Sequence, residues 1–142
     1  MANVLFVCKQ NAGRSQMSEA LFARAVNGRH QARSAGTRPA ERVHPVVVEA
    51  MREVDIDLGK RRPQGLTDQL AAWADIVVTM GCGDECPYIP GKTYIDWELM
   101  DPADQPLATV VALRDEIGSR VEDLVRQLDS APQRVRRQPP QD

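Results

Sequence analysis

Cys8 is followed, after five intervening residues, by Arg14 and Ser15. The segment Cys8-Lys9-Gln10-Asn11-Ala12-Gly13-Arg14-Ser15 joins an apolar run to the start of a helical pattern. A loop of this length wrapped around a sulfur points backbone N–H groups inward, and a helix N-terminus adds partial positive charge. Lys9 to Ser15 are therefore placed to cradle a tetrahedral oxyanion. The same field favours thiolate over thiol at Cys8 and makes it a nucleophile. Arg14 offers a planar fork of donors that holds two oxygens of a phosphate-like anion. Ser15 can donate to the sulfur, Asn11 can brace the loop, and Gly13 allows close backbone approach. The competing reading is a buried structural cysteine beside an exposed arginine. Strand, loop, Arg-Ser pair and helix falling in register weigh against it.

Alternating strands and helices must position that loop. Residues 3–7, Asn-Val-Leu-Phe-Val, suit a buried strand with Cys8 at its carboxyl end. From Ser15, the spacing of Met17, Leu21, Phe22 and Ala25 predicts a helix. Residues 31–34 read as a weak second strand. A second helix starts near Pro45, turns Val47, Val48, Met51 and Val54 inward, and stops before Gly59. Thr67 caps a short helix with Leu70, Ala71 and Trp73. Residues 75–80 and 94–97 read as strands three and four, and 107–128 as a long amphipathic helix softened at Gly118. This alternation argues for a parallel sheet covered on both faces, where ligands bind beyond the carboxyl ends of the strands. Cys8 lies at one such end and Met80-Gly81-Cys82 at another.

At 142 residues, with 4% aromatic content and a net charge of −2, the chain fits one soluble domain over residues 1–130 and a polar, flexible tail over 131–142. The charge balance predicts no nucleic-acid partner. No apolar stretch approaches bilayer length and no leader precedes the first strand, so a cytoplasmic protein without membrane contact is expected. The three cysteines read as thiols or redox groups rather than a disulfide framework. His30 and His44 read as ordinary surface or turn residues, Trp73 and Trp97 as core or pocket wall. Lys60-Arg61-Arg62 reads as a solvated basic turn, and Arg38 as a comparable residue.

The loop resembles the phosphate-binding loop of the low-molecular-weight protein tyrosine phosphatase superfamily. Its continuation Arg14-Ser15-Gln16-Met17-Ser18-Glu19-Ala20 is similar to the arsenate reductase branch. The likeness continues in Ser34-Ala35-Gly36-Thr37, His44-Pro45, Glu49-Ala50-Met51, Val77-Val78-Thr79-Met80, Trp97 and Asp101-Pro102-Ala103. It implies a three-layer α/β sandwich with a four-stranded parallel sheet in the order 2-1-3-4. It also implies arsenate as substrate, phosphate as its mimic, and no bound cofactor or metal. Asp101, otherwise a turn-forming Asp-Pro, becomes the candidate acid for the departing oxygen, ahead of Asp104 and Asp96.

Arsenate reduction consumes two electrons, so a second thiol must attack the Cys8 adduct. Cys82 and Cys86 are possible redox groups. The resemblance offers two routes: an internal cysteine relay ending at thioredoxin, or mycothiol with a mycoredoxin. Only three residues separate Cys82 from Cys86, tighter than the thioredoxin-coupled pattern, so the chain more closely resembles the mycothiol-linked branch, with both cysteines auxiliary. Structural burial of both thiols stands as their alternative, although Gly81, Gly83, Asp84 and Glu85 suggest a partly exposed loop. Zinc lacks two further ligands at useful spacing. The alternative activity is phosphotyrosine hydrolysis through a phosphocysteine. Gln16-Met17, the extra cysteines and the missing tyrosine pair after Asp101-Pro102 count against it. An oxyanion-binding regulator without turnover is a third reading, disfavoured by the intact Cys8, Arg14 and Asp101.

Overall fold

Side chains alternate across β1 (Asn3–Cys8), and that alternation separates two cores. Val4, Phe6 and Cys8 face one core, Leu5 and Val7 the other. The computed structural model describes residues 1–82, 86, 88 and 90–130. The expected tail over 131–142 lies outside them.

The strands β2 (Gln31–Gly36), β1, β3 (Ile76–Thr79) and β4 (Thr93–Asp96) form one parallel sheet in the order 2-1-3-4. Helices α1 (Arg14–Val26), α2 (Pro45–Arg52) and α4 (Leu107–Ser130) cover the Phe6 face, and α3 (Asp68–Trp73) covers the other. Phe6 meets the Phe22 ring edge-on at 5.6 Å and Trp97 at 5.9 Å, which pins α1 and the exit of β4 to the central strand. Register places Cys8 opposite Gly36 on β2, and Val7 opposite Thr79 on β3. Three strand exits thereby converge on one edge.

Local chemistry explains the boundaries. Pro45 occupies the first turn of α2, and Thr67 caps α3 by accepting from the Leu70 N–H at 3.1 Å. The helix α2 is shorter than its apolar spacing suggests. The chain reverses at Asp55, whose φ is 64°, and Val54 packs from outside the helix. In contrast α4 passes straight through Gly118, because Val110, Leu113, Ile117, Val121, Leu124 and Val125 bury a continuous stripe. That burial outweighs the ~1 kcal/mol of a single helical glycine. Among the described residues no helix is long and apolar enough to cross a membrane.

His30 is not a surface residue: it is buried. The Ala2 N–H donates to its Nδ1 at 3.0 Å, so Nε2 carries the proton and faces Asp129 Oδ1 at 3.1 Å. Arg29 Nη2 reaches Asp129 Oδ2 at 2.7 Å. The clamp ties the start of β1 to the last turn of α4. The bonds from Arg29 and His30 hold the Asp129 carboxyl below its ordinary value. A depressed carboxylate contributes stability above its unfolded pKa, and that contribution disappears as pH falls through the folded one. Asp129→Asn is therefore expected to lower Tm at neutral pH, and its difference from the parent should shrink as the solution is acidified toward pH 3. Thermal melts of both proteins across that range measure it.

Candidate active site

Gly13 stands at the N-cap of α1, whose first turn carries no acidic side chain and no side-chain cap. The leading N–H groups of the helix therefore remain for an anion. The loop carbonyls are drawn outward by the next loop along the sheet edge. Thr37 donates to Cys8 O at 3.1 Å, Arg38 to Lys9 O at 2.7 Å, Ala40 to Gln10 O at 3.0 Å and His44 to Ala12 O at 3.0 Å. With those oxygens engaged outside, the amide hydrogens are left on the side of the sulfur. The Asn11 N–H donates to Cys8 Sγ at 3.3 Å.

A side-chain chain supports the same sulfur. The Gln64 N–H, which can only donate, reaches Asn11 Oδ1 at 2.9 Å and fixes the orientation of that amide. Asn11 Nδ2 then donates to Ser15 Oγ at 2.7 Å. Ser15 Oγ lies 2.9 Å from Cys8 Sγ, and to a thiolate, which can only accept, its one proton is the donor. Two donors aimed at one sulfur stabilise negative charge on it. Asn11 occupies the left-handed region at φ 52°, a conformation held by these bonds and by Gln16 Nε2, which donates to Asn11 O at 3.2 Å and Oδ1 at 3.1 Å.

Arg14, the first residue of α1, is buried, with Nη1 donating to Leu99 O at 3.3 Å and Nη2 3.7 Å from Asp101 Oδ2. Asp101 is half exposed, and its Oδ1 accepts from the Ala103 N–H at 3.0 Å. Two glycines let these parts close up. A Cβ on Gly13 would lie 2.5 Å from Pro102 Cγ, so the Asp101-Pro102 loop rests directly on the anion loop. Gly81, at φ +85°, lies flush against the Arg14 guanidinium, and any Cβ there would collide with Nη1.

Of the remaining loop residues, Ala12 is buried, Lys9 is exposed, and Gln10 Oε1 is buried with no protein partner among the described residues. Asp96 accepts from Thr79 Oγ1 at 2.8 Å, while Asp104 sits in a left-handed turn at φ 62°. Cys82 is buried rather than partly exposed, packed in the Leu5 and Val7 core, whereas Cys8 belongs to the opposite one. Its sulfur is paired with that of Cys86 in a disulfide, with the Cα atoms 5.2 Å apart. Gly83, Asp84 and Glu85 lie outside the described residues. Within the basic turn, Lys60 and Arg62 are exposed, but Arg61 is only partly so: its Nη1 turns inward and donates to Glu19 Oε1 at 3.1 Å and Gln16 Oε1 at 3.2 Å.

Substitution Gly81→Ala is expected to push the guanidinium off its position and weaken binding of inorganic phosphate about 10- to 100-fold, the scale of a lost charge-assisted hydrogen bond. Gly28→Ala is the control, since Gly28 shares the positive φ, at +87°, but has nothing near its Cβ position. Titration calorimetry on the two variants separates displacement of Arg14 from general backbone strain.

The model of the low molecular weight phosphotyrosine protein phosphatase family matches residues 3–134. A relative from Halobacterium salinarum is 43% identical over 125 residues, covering 84% of this chain and 87% of its own length. The glutaredoxin arsenate reductase of Synechocystis is 33% identical over 131 residues, 90% of this chain and 99% of its own. The solved thioredoxin-dependent arsenate reductase of Corynebacterium glutamicum superposes with a TM-score of 0.78 at 37% identity, across 92% of this chain and 63% of that longer one. The sheet order, the cradle around Cys8 and a family match spanning nearly the whole sequence lead to one conclusion: this chain belongs to the low molecular weight phosphotyrosine protein phosphatase family.

Proposed function

We propose that this protein reduces arsenate to arsenite through a covalent adduct on Cys8, with an external thiol completing the turnover. The observation that carries the reading is the cradle itself: a sulfur receiving donors from Ser15 and Asn11, an uncapped helix N-terminus, and Arg14 held beside it. Arsenate relatives supply the choice of oxyanion, since the Synechocystis and Corynebacterium proteins carry that activity in their names.

In the first step the Cys8 thiolate attacks arsenic(V), a sulfur–arsenic bond forms, and an arsenic–oxygen bond breaks. Asp101 gives its proton to the departing oxygen, which leaves as water. Arg14 and the loop N–H groups hold the remaining oxygens, and the guanidinium follows their charge into the transition state. In the second step a thiolate attacks the sulfur bonded to arsenic. A disulfide forms, the electron pair of the sulfur–arsenic bond passes to arsenic, and arsenite leaves as arsenic(III). A further thiol then reduces the disulfide and restores Cys8.

An external second thiol fits the placement of the cysteines. Cys82 packs against the opposite face of the sheet from Cys8, so an internal attack requires it to leave its core. A groove of about 510 Å³ lined by Gly81, Asp96, Trp97, Glu98, Leu99 and Met100 lies next to Arg14, which touches Gly81 and bonds Leu99 O. Mycothiol, with a mycoredoxin to finish, is the proposed reductant. One observation favours a second reading: the Cys82–Cys86 pairing is the product that an internal relay to thioredoxin would leave.

Two experiments test these assignments. Asp101→Asn is expected to slow arsenite formation by about 10²- to 10⁴-fold, the usual worth of a general acid, while phosphate still binds. Rapid aryl phosphate hydrolysis with no arsenite under any thiol condition would sink the reductase reading. For the reductant, Cys82→Ser and Cys86→Ser should each retain mycothiol- and mycoredoxin-dependent turnover. Loss of that turnover in Cys82→Ser, or turnover with thioredoxin alone in the parent, assigns the internal relay instead.

A further inference from the structure

We propose that Arg61 is a positioning residue for the Cys8 thiolate, acting from outside the anion loop through Gln16 and Asn11. Arginine carries donors and no acceptor. Its Nη1 therefore fixes Gln16 Oε1 as the acceptor end of that amide, at 3.2 Å, and turns Gln16 Nε2 toward Asn11. Nε2 donates to both Asn11 O and Asn11 Oδ1. Asn11 Nδ2 donates onward to Ser15 Oγ, and Ser15 donates to the sulfur once Cys8 is ionised and can only accept. Every bond in the series runs in one direction, from a group that can only donate to the atom that must carry negative charge.

Net charge is not what Arg61 supplies. Its guanidinium is paired with Glu19 Oε1 at 3.1 Å, and Glu19 is itself fixed by Ser34 Oγ at 2.5 Å. The pair is close to neutral, so Arg61 contributes direction and anchorage. Anchorage matters because Asn11 is held at a positive φ, and its carbonyl is one of the two oxygens that Gln16 clamps. The Gln64 N–H shares the task of orienting Asn11 Oδ1, and the Arg61 side chain is 39% exposed. Both facts limit the expected effect to a moderate one. Among the described residues, the charged or titratable groups of the loop and the elements packed on it are Lys9 within it, Arg14 and Asp101 on the open side, Arg38 and His44 on the flanking loop, and Glu19 with Arg61 behind.

This role concerns any reaction of the Cys8 thiolate and stands apart from the identity of the oxyanion. The test is alkylation of Cys8 by iodoacetamide, read at the Cys8 peptide by mass spectrometry at pH 6 and pH 10. Arg61→Met is expected to lower the pH 6 rate about three- to tenfold, the scale of one net hydrogen bond, and to leave the pH 10 rate unchanged. Arg61→Lys, still a donor without an acceptor, should restore the parent rate. Gln16→Met, which leaves Arg61 paired with Glu19, should show the same pH 6 loss, and the double variant should be no slower than either single one. An unchanged pH 6 rate in Arg61→Met, an equal loss at both pH values, or additive losses in the double variant overturns the proposal. Should Arg61→Met not fold, the Gln16→Met and Arg61→Lys rates decide it by the same criteria.

Discussion

Outward pairing of the anion-loop carbonyls with residues 37–44 is the constraint on which the site rests. Each of the four bonds is worth only about 1 kcal/mol net. Their larger effect is directional, because a carbonyl left unpaired could turn inward and set a partial negative charge against the bound anion. The sheet places their donors. β1 is central, so the exit of β2 brings residues 37–44 to one flank of the loop and the exit of β3 brings Gly81 to Arg14 on the other. A parallel sheet of this order is thus a means of converging three chain segments on one sulfur.

Much of this convergence is legible in the sequence because it follows from short-range patterns. An apolar run ending at Cys8, a glycine before Arg14 and a helical repeat from Ser15 place the loop. Pro45 and Thr67 announce the helices they start. What the pattern hides is pairing between polar groups far apart in the chain. His30 meets Asp129 across 99 positions, Arg61 meets Gln16 across 45, and Arg114 meets Glu53 across 61. None of these residues has a periodicity that marks it as buried, so His30 reads as a surface or turn residue and Arg61 as part of a solvated turn. The length of α2 escaped for a related reason: Val54 repeats at helical spacing, yet the turn at Asp55 lets it reach the same core from outside the helix.

Arg114 shows how such a charge is accommodated where no chemistry is needed. Burial alone would lower its pKa, but bonds to Asp115 and Glu53 outweigh that and raise it above the ordinary value. A further bond from Nη1 to Ala50 O at 2.8 Å ties α4 to the end of α2. The contrast with Arg14 is instructive. Arg14 is equally buried, yet its partners are a backbone carbonyl at 3.3 Å and a carboxylate at 3.7 Å, too loosely held to saturate five donors. A buried guanidinium with donors in reserve is suited to an incoming anion; one whose bonds are completed by its own chain is suited to holding helices together.

The two cores bear on how electrons reach the site. Cys8 and Cys82 leave adjacent strands on the same edge, but their side chains enter opposite faces of the sheet. Register sets Cys8 level with Met80, so a strand running on would carry Cys82 to the Cys8 face; the turn at Gly81, with its positive φ, sends it to the other, and bringing both sulfurs together requires that turn to change. Moving Gly81 would also move it away from the guanidinium it touches. The position of Cys82 and the seat of Arg14 are therefore coupled through one glycine, so a change of path at that turn reaches both the second sulfur and the guanidinium.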